Sequence, residues 1–296
     1  MKFKKNTLVP TSHFYIYLLK DGRSLRFGRY GMGSTSLLSD QLYADFHEFV
    51  SHFAEIHPVS DRVLVYIHGF MADFELFEQK AGYILQDQIF NPISDKYPVV
   101  ISLKWETSPD YRTSVMTAEN TGATFYKVLQ SLLSHQKSLG VNLTWSFLCH
   151  SMGNRVFSGI AKADQAAFQI FHFGTICMMA ADVPSSIFED ELEWLPKVAE
   201  RIIVFVNAKD RTLEIANWLV PYPRLGKTGT LVPHQNVFVI DATPINDHEG
   251  LVPKISKHRY YYASASIRAM LCSIFQGNEK VVLKGVQYFL PIKGKK

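Results

Sequence analysis

A serine stands at the centre of the pentapeptide Cys149-His150-Ser151-Met152-Gly153, between an apolar run at 143–148 and a segment of helical period. A strand, a sharp turn and a helix in this order are the context of a nucleophile elbow, which holds a serine in a strained backbone. Strand and helix pass closely there, so the flanking positions must be small. Gly153 meets this need and Cys149 meets it approximately. The pattern predicts Ser151 as a nucleophile.

A second turn, His68-Gly69-Phe70, follows the earlier apolar run at 63–67. The glycine lets the backbone turn, so that the amide of Phe70 can point toward the serine. The amide of Met152, at the start of a helix, is the second expected donor. Donors of this kind stabilise the negative charge on a substrate oxygen, and one is typically worth about 3 kcal/mol. We therefore expect an oxyanion hole formed by these two amides.

A nucleophilic serine needs a base that a carboxylate orients, and in this context the acid and the base follow the serine. Asn207-Ala208-Lys209-Asp210 follows the apolar run at 201–206, where ligand-facing groups collect at strand ends. The rival acid is Asp182, at the end of the preceding run. Either aspartate could instead cap a helix. We favour Asp210 and keep Asp182 as the alternative.

Two histidines follow the last apolar run, His248 and His258, and position alone does not separate them. His258 directly precedes the final helical segment, whose packing would fix its backbone. His248 is flanked by acidic residues and a glycine, as in a solvated surface loop. We favour His258 as the base, with His248 as its rival.

The elements that must position these residues begin at residue 61, where short apolar runs alternate with longer segments of helical period. This alternation predicts a parallel sheet with helices on both faces, which makes the strands apolar throughout. Helices are predicted at 118–133, 153–167 and 263–275. The predicted strands are Val63 to Ile67, Val99 to Leu103, Leu143 to Leu148, Phe171 to Met179, Arg201 to Val206 and Val237 to Ile240.

The N-terminal part has a different pattern, because two apolar runs, Phe14 to Leu19 and Leu25 to Phe27, flank the turn dipeptide Asp21-Gly22. This predicts a β-hairpin that extends one edge of the sheet. A length of 296 residues suits one large α/β domain. We expect a hairpin and helix extension at 1–60, a catalytic core at 61–276, and a lid or rim loop at 211–235.

Composition excludes several other classes of protein. Hydrophobic residues make up 47% of the chain and charged residues 20%, so a sizeable core is expected. The net charge of +4 reflects lysines near both ends, and no internal basic patch favours nucleic-acid binding. The three cysteines lie in apolar runs without paired spacing, which favours a reduced, cytoplasmic protein. No run is long enough for a membrane helix.

Histidines at positions 47, 52 and 57 could suggest a metal site. A spacing of five residues places successive side chains about 140° apart on a helix, so they do not share one face. Because no other cluster of metal ligands is present, we predict no metal and no cofactor. The expected partner is a small ester substrate, and the oligomeric state stays open.

The chain resembles the DUF900 group of α/β-hydrolase proteins, which is close to bacterial lipases and esterases. The resemblance spans about residues 61–276. It implies an α/β-hydrolase fold and a triad of Ser151, Asp210 and His258, and it supports His258 through the His-Tyr-rich segment before the last helix. The resemblance rests on VLVYIHGF at 63–70, CHSMGNRV at 149–156, ADV at 181–183, NAKD at 207–210 and HRYY at 258–261.

The expected activity is hydrolysis of a carboxylic ester through an acyl-enzyme on Ser151. Thioester cleavage and acyl transfer use the same residues and stay open. A hydrolase fold that has lost its chemistry and acts as a binding protein is the alternative of a different class. Aromatic residues near the expected rim, Phe70, Phe74, Phe77 and Trp218, suggest an apolar acyl pocket.

Overall fold

The computed structural model describes residues 12–19, 21–30, 40–56, 61–70, 82–167 and 169–278. Its strands form one nine-stranded sheet in the order β3-β2-β1-β5-β4-β6-β7-β8-β9. The strands are β1 Ser12–Leu18, β2 Leu25–Tyr30, β3 Asp40–Tyr43, β4 Arg62–Ile67, β5 Val99–Trp105, β6 Thr144–His150, β7 His172–Met179, β8 Arg201–Val206 and β9 Val237–Asp241.

Strands β4 to β9 are parallel, and β1 also runs parallel to its neighbour β5. Strand β2 is antiparallel to both β1 and β3, so the N-terminal hairpin extends one edge of the sheet. The predicted α/β-hydrolase fold, with a mostly parallel sheet and an added hairpin, is therefore confirmed. Strand β3 was not predicted from the sequence.

Helices cover both faces of the sheet. A continuous helical segment comprises Tyr83–Leu85, Gln86–Phe90 and Asn91–Ile93, and its hydrogen bonding changes from α to π to 3-10 along the chain. The α-helices are α1 Phe46–Ile56, α2 Tyr111–Ser138, α3 Gly153–Ala166, α4 Leu195–Val198, α5 Arg211–Leu219, α6 Leu225–Thr228, α7 Leu251–Ser256, α8 Tyr260–Ala263 and α9 Ala265–Gln276.

Two apolar layers enclose the sheet, because successive side chains of a strand point to opposite faces. On β4, Val63, Val65 and Ile67 pack in the layer that holds helices α1, α2 and α3. Leu64 and Tyr66 pack in the opposite layer, beside α8, α9 and the helical segment at 82–93. Burial on both faces explains why the strands are continuously apolar.

The chain segment after α7 is fastened to the carboxyl ends of two strands. The buried Tyr260 hydroxyl accepts a hydrogen bond from the amide of Ala180 at 2.9 Å and donates to the carbonyl oxygen of Phe205 at 3.0 Å. Ala180, with a φ of 44°, lies just beyond the end of β7, and the tyrosine supplies the partner that its buried amide needs. Tyr260 thereby fixes the chain two residues after His258.

All described strands belong to one sheet. Within 211–235, α5 is an ordered helix, and Arg224, Leu225 and Gly226 are buried against the end of the sheet. The proposal that this region forms the rim of a site therefore concerns mainly α5. No helix in the described part of the chain is both long enough and apolar enough to span a bilayer.

Replacing Tyr260 by phenylalanine would leave the Ala180 amide and the Phe205 carbonyl buried without this partner. We expect Tyr260→Phe to lower the free energy of unfolding by about 1–3 kcal/mol, measured by chemical denaturation. Tyr126→Phe is the matched control, since the buried Tyr126 hydroxyl has no hydrogen-bond partner in the described part of the chain and its removal should be neutral or stabilising. Equal losses in both variants would contradict this role of Tyr260.

Candidate active site

Ser151 lies at the sharp turn between β6 and α3. Its φ is 53°, in the left-handed region that a residue with a Cβ occupies only under strain. The turn is held on both sides, because the Ser151 amide donates to the Met179 carbonyl at 2.9 Å and its carbonyl accepts from the Asp182 amide at 3.2 Å. The Asn154 side chain also donates to the Ser151 carbonyl at 2.9 Å. The strained conformation is thus fixed by its surroundings.

Two glycines make room for the serine. A Cβ on Gly69 would lie 2.7 Å from the Ser151 Cβ, so the turn after β4 approaches the serine more closely than any side chain would allow. A Cβ on Gly153 would lie 2.5 Å from the carbonyl oxygens of Ile67 and His68. These contacts explain why the sequence places glycine at both positions.

Cys149 occupies the position where the elbow pattern favours a smaller residue. Its side chain is fully buried in the layer beneath α3, so the turn accommodates the thiol by directing it into the core. Burial raises the pKa of the Cys149 thiol well above its usual value. A neutral, buried thiol is inert, so Cys149 does not compete with the serine as a nucleophile.

His258 and Asp210 form a buried pair. The His258 Nδ1 lies 2.7 Å from the Asp210 Oδ2, and both side chains are almost completely buried. A carboxylate only accepts hydrogen bonds, so Nδ1 carries the proton and Nε2 is left as an acceptor. The second oxygen of Asp210 accepts from the Leu213 amide at 2.9 Å and caps α5. The Asp210 carboxylate thus both caps α5 and pairs with His258.

Side chains from the loop after β8, from strand β4 and from helix α8 hold the histidine in place. The Asn207 side chain donates to the Lys257 carbonyl at 3.3 Å, which joins the Asp210 loop to the His258 loop. The Tyr261 hydroxyl is hydrogen-bonded to the Tyr66 hydroxyl at 2.9 Å. These bonds fix the backbone on both sides of His258.

His150 fills the space between the elbow and the final helices. Its ring stacks on Tyr261 at a centroid distance of 4.3 Å and lies 4.8 Å from the ring of His258. Its Nε2 donates to the His258 carbonyl at 3.3 Å. Burial lowers the pKa of His150 well below its usual value, so the ring is neutral and adds no charge beside His258.

His68 orients the peptide that precedes Phe70. The Trp105 amide donates to His68 Nε2 at 3.1 Å, so the proton of the ring is on Nδ1. Nδ1 then donates to the Gly69 carbonyl at 2.8 Å. In a trans peptide the N–H points opposite to the C=O, so this bond directs the Phe70 amide away from His68. Burial lowers the pKa of His68 to about 4, which keeps the ring neutral.

The two amides expected to form an oxyanion hole are available as donors. Neither the Phe70 amide nor the Met152 amide donates to an acceptor within the described residues. Met152 immediately precedes α3, so its amide lies at the positive end of the helix dipole. Phe70 and Ser151 both line one cavity.

The rival acid, Asp182, has other partners. Its Oδ1 lies 2.6 Å from the Nε of Arg224, and both side chains are fully buried. Its Oδ2 accepts from the Tyr111 hydroxyl at 2.6 Å. Burial raises the pKa of the Tyr111 hydroxyl, and the neighbouring Asp182 carboxylate raises it further. Asp182 therefore belongs to the wall of the cavity and does not pair with His258.

The rival base, His248, is buried, whereas the sequence predicted a solvated surface loop at this position. The backbone of His248 pairs with that of Ser264 at the start of α9. Neither ring nitrogen has a hydrogen-bond partner among the residues that the structure describes. The ring is absent from the lining of the cavity that holds Ser151 and His258.

The cavity has a volume of about 340 Å³. Ser151, His150 and His258 line it, and the hydrogen-bonded Tyr111 and Asp182 form a polar patch on the wall. The remaining wall is mainly apolar, and α5 supplies most of it through Leu213, Ile215, Ala216 and Leu219. Within the ranges described, no three His, Cys, Asp or Glu side chains are grouped as metal ligands would be.

Sequence reasoning did not identify Tyr111, Arg224 or Asn207. Tyr111 opens α2 and Arg224 precedes α6, far from the motifs along the chain, and only the fold brings them to the cavity. Asn207 stands three residues before Asp210. Its position directly after the buried strand β8 was the one sequence signal that could have indicated a role in the site.

The family described as alpha/beta hydrolase of unknown function (DUF900) matches residues 46–273. Among solved structures, a proposed cell surface hydrolase from Lactobacillus plantarum WCFS1 is similar, with 8% identity, a TM-score of 0.39, and coverage of 74% of this chain and 92% of that chain. No curated protein matches the sequence.

Three buried histidines make stability depend on pH. Burial lowers the pKa of His13 to about 3 and that of His68 to about 4, and it lowers that of His150 well below 6.5. In the unfolded chain each histidine binds a proton below a pH of about 6.5. Burial raises the pKa of Asp164 to about 6, so near pH 5 the folded chain holds one proton there that the unfolded chain has released.

Unfolding near pH 5 should therefore take up protons, because the buried histidines that gain one outnumber the single Asp164 that releases one. We expect the free energy of unfolding to fall by roughly 1–3 kcal/mol for each unit of pH lost between about 6 and 5, measured by denaturation at fixed pH values. Asp164→Asn should make this slope steeper, because unfolding then takes up about one more proton. A pH-independent stability over this interval would contradict the neutral state of these rings.

Proposed function

The chain belongs to the DUF900 family of alpha/beta hydrolases, and on this premise we propose that it is a serine hydrolase that cleaves carboxylic esters through an acyl-enzyme on Ser151. The observation that carries the proposal is the 2.7 Å contact between His258 Nδ1 and Asp210, with Ser151 and His258 on the wall of one cavity. The proposal assigns Ser151 as nucleophile, His258 as base and Asp210 as orienting acid.

In the proposed acylation step, His258 Nε2 takes the hydroxyl proton while the Ser151 oxygen attacks the carbonyl carbon of the ester. The carbonyl electron pair moves to the oxygen, and a tetrahedral intermediate forms. The intermediate collapses when His258 returns the proton to the departing alcohol oxygen. The products of this step are the free alcohol and the acyl-serine.

In the proposed deacylation step, water takes the place of the alcohol, and His258 again removes a proton from the attacking oxygen. The acid leaves and the serine recovers its proton. An alcohol or thiol acceptor would use the same residues, so acyl transfer and thioester cleavage stay open as variants of this function.

The negative oxygen of both intermediates needs donors that are already oriented. The amides of Phe70 and Met152, for which the described residues provide no acceptor, support the assignment of an oxyanion hole. The bond from His68 to the Gly69 carbonyl supports it further, because it fixes the direction of the Phe70 amide before substrate arrives. Because the His68 and His150 rings are neutral, the negative charge that develops on the substrate oxygen would be stabilised by the fixed N–H dipoles of these amides.

The proposed cytoplasmic location rests on the cysteines, because no disulfide joins them. Cys149 and Cys177 are buried as free thiols, and Cys272 is partly buried and free. Free thiols are typical of a reducing compartment.

A fluorophosphonate probe tests the nucleophile. We expect stoichiometric labelling of the wild-type chain on Ser151, because a base-activated serine attacks phosphorus as it attacks a carbonyl carbon. The labelled peptide is identified by mass spectrometry, and Ser151→Ala should not be labelled. A wild-type chain that does not react, or an equally labelled Ser151→Ala, would favour a binding protein that has lost the chemistry.

The two aspartates can be separated by isosteric variants. Asp210→Asn should lower kcat for a p-nitrophenyl ester by roughly 10⁴-fold, because an amide stabilises the wrong histidine tautomer. Its capping bond to Leu213 survives, since the amide oxygen still accepts. Asp182→Asn is the control, and it should keep kcat within about tenfold because it has no contact with His258. The opposite order of effects would assign the acid to Asp182.

A further inference from the structure

Helix α5 exposes a large apolar surface beside the cavity. Leu213 and Ala216 are buried on one side of the helix, while Ile215, Trp218 and Leu219 are exposed on the other. These three residues follow helical spacing, so they form one stripe. Trp218 is 74% exposed, although a tryptophan normally buries most of its ring.

Two neighbouring helices continue this stripe. Helix α7 contacts α5 and exposes Leu251 and Ile255, which are one turn apart. On the other side, Arg112 of α2 donates to the Leu219 carbonyl at 3.2 Å, and Met116, one turn further along α2, is 78% exposed. We call this surface the apolar rim, formed by Met116, Ile215, Trp218, Leu219, Leu251 and Ile255.

The apolar rim is continuous with the cavity that holds Ser151. Ile215 and Leu219 belong to both, and Ser256, next to Ile255, also lines the cavity. Contiguous exposed apolar surface of this kind marks an interaction site. A ligand that covers the rim therefore also covers the entrance to the serine.

Cations accompany the apolar rim. Lys209 and Arg211 at the start of α5 are exposed, and so is Lys254 on α7. The acidic residue on α5, Glu214, lies 3.4 Å from Lys227 and is thereby neutralised. Exposed lysine and arginine beside a tryptophan and aliphatic side chains are the composition of surfaces that bind anionic bilayers.

We propose that the apolar rim docks on the surface of an anionic phospholipid bilayer, from which an ester-bearing lipid enters the cavity. The lipid as substrate rests on the proposed serine hydrolase function, whereas the docking does not. A bilayer covers the rim and supplies apolar substrate through the same contact. A protein partner seated on the rim would close the entrance to the cavity.

Trp218 reports the docking directly. The other tryptophans, at 105, 145 and 194, are buried, so a change in indole environment on docking is assigned to Trp218. The Ser151→Ala chain is mixed with vesicles of phosphatidylcholine, with or without phosphatidylglycerol. We expect a blue shift of the emission and co-sedimentation with the anionic vesicles, both weakened by high salt. No shift and no co-sedimentation would overturn the proposal.

A double variant of the apolar rim, compared with a control variant elsewhere on the surface, shows whether a loss of vesicle binding comes from the rim itself. Trp218→Ser with Leu251→Ser should weaken co-sedimentation at least about tenfold, because two large apolar side chains no longer enter the bilayer. Hydrolysis of a soluble short-chain ester should not change, because neither Trp218 nor Leu251 lines the cavity, contrary to the acyl-pocket role that the sequence suggested for Trp218. Leu139→Ser is the matched control, since Leu139 is exposed beyond the far end of α2, near the amino end of β6, and should bind like wild type. Equal binding by all variants would overturn the proposal.

Two further outcomes also decide the question. Concentration-dependent dimerisation without vesicles, abolished by Trp218→Ser with Leu251→Ser, would assign the rim to a second copy of the chain and overturn bilayer docking. Vesicle binding by a chain that no fluorophosphonate labels would support docking and contradict the hydrolase. Labelling of Ser151 without vesicle binding would support the hydrolase and contradict docking.

Discussion

The geometry of the site depends on Asp210, because its two carboxylate oxygens bind two different parts of the protein. One oxygen pairs with His258 at 2.7 Å and the other caps helix α5 at 2.9 Å. The helix that forms most of the apolar wall of the cavity is therefore positioned by the same carboxylate that orients the imidazole. A shift of α5 would move the proposed acid, and a loss of the acid would free the end of the helix. This shared carboxylate links substrate binding to the proposed chemistry.

The two histidine rings nearest to this pair and to the turn of Phe70 are buried and uncharged. His150 packs against His258, and His68 lies behind the turn of Phe70, yet burial keeps both rings neutral. A positive charge on either ring would repel the imidazolium that the proposed mechanism forms on His258. Neutral rings can still donate hydrogen bonds, and both donate to backbone carbonyls that shape the site. Polar side chains thus orient the site without adding charge.

Much of this arrangement could be predicted because parallel strands bring their carboxyl ends to one edge of the sheet. Turns after β4, β6 and β8, remote in the sequence, therefore meet in space, and each carries a short motif that the sequence exposes. Contacts between long side chains follow no such rule. The pairing of Asp182 with Arg224 depends on where α6 returns to the sheet, and neither motif nor spacing encodes it. The burial of His248 depends likewise on its pairing with the start of α9.

The most direct test of the account is to trap its covalent intermediate. The chain is mixed with a p-nitrophenyl ester, quenched in acid within milliseconds, and measured by intact-mass and peptide mass spectrometry. The account predicts one acyl group per chain, attached to Ser151, with a matching burst of p-nitrophenolate. Turnover of the ester without an acyl group on Ser151, or with the acyl group on another residue, would contradict it.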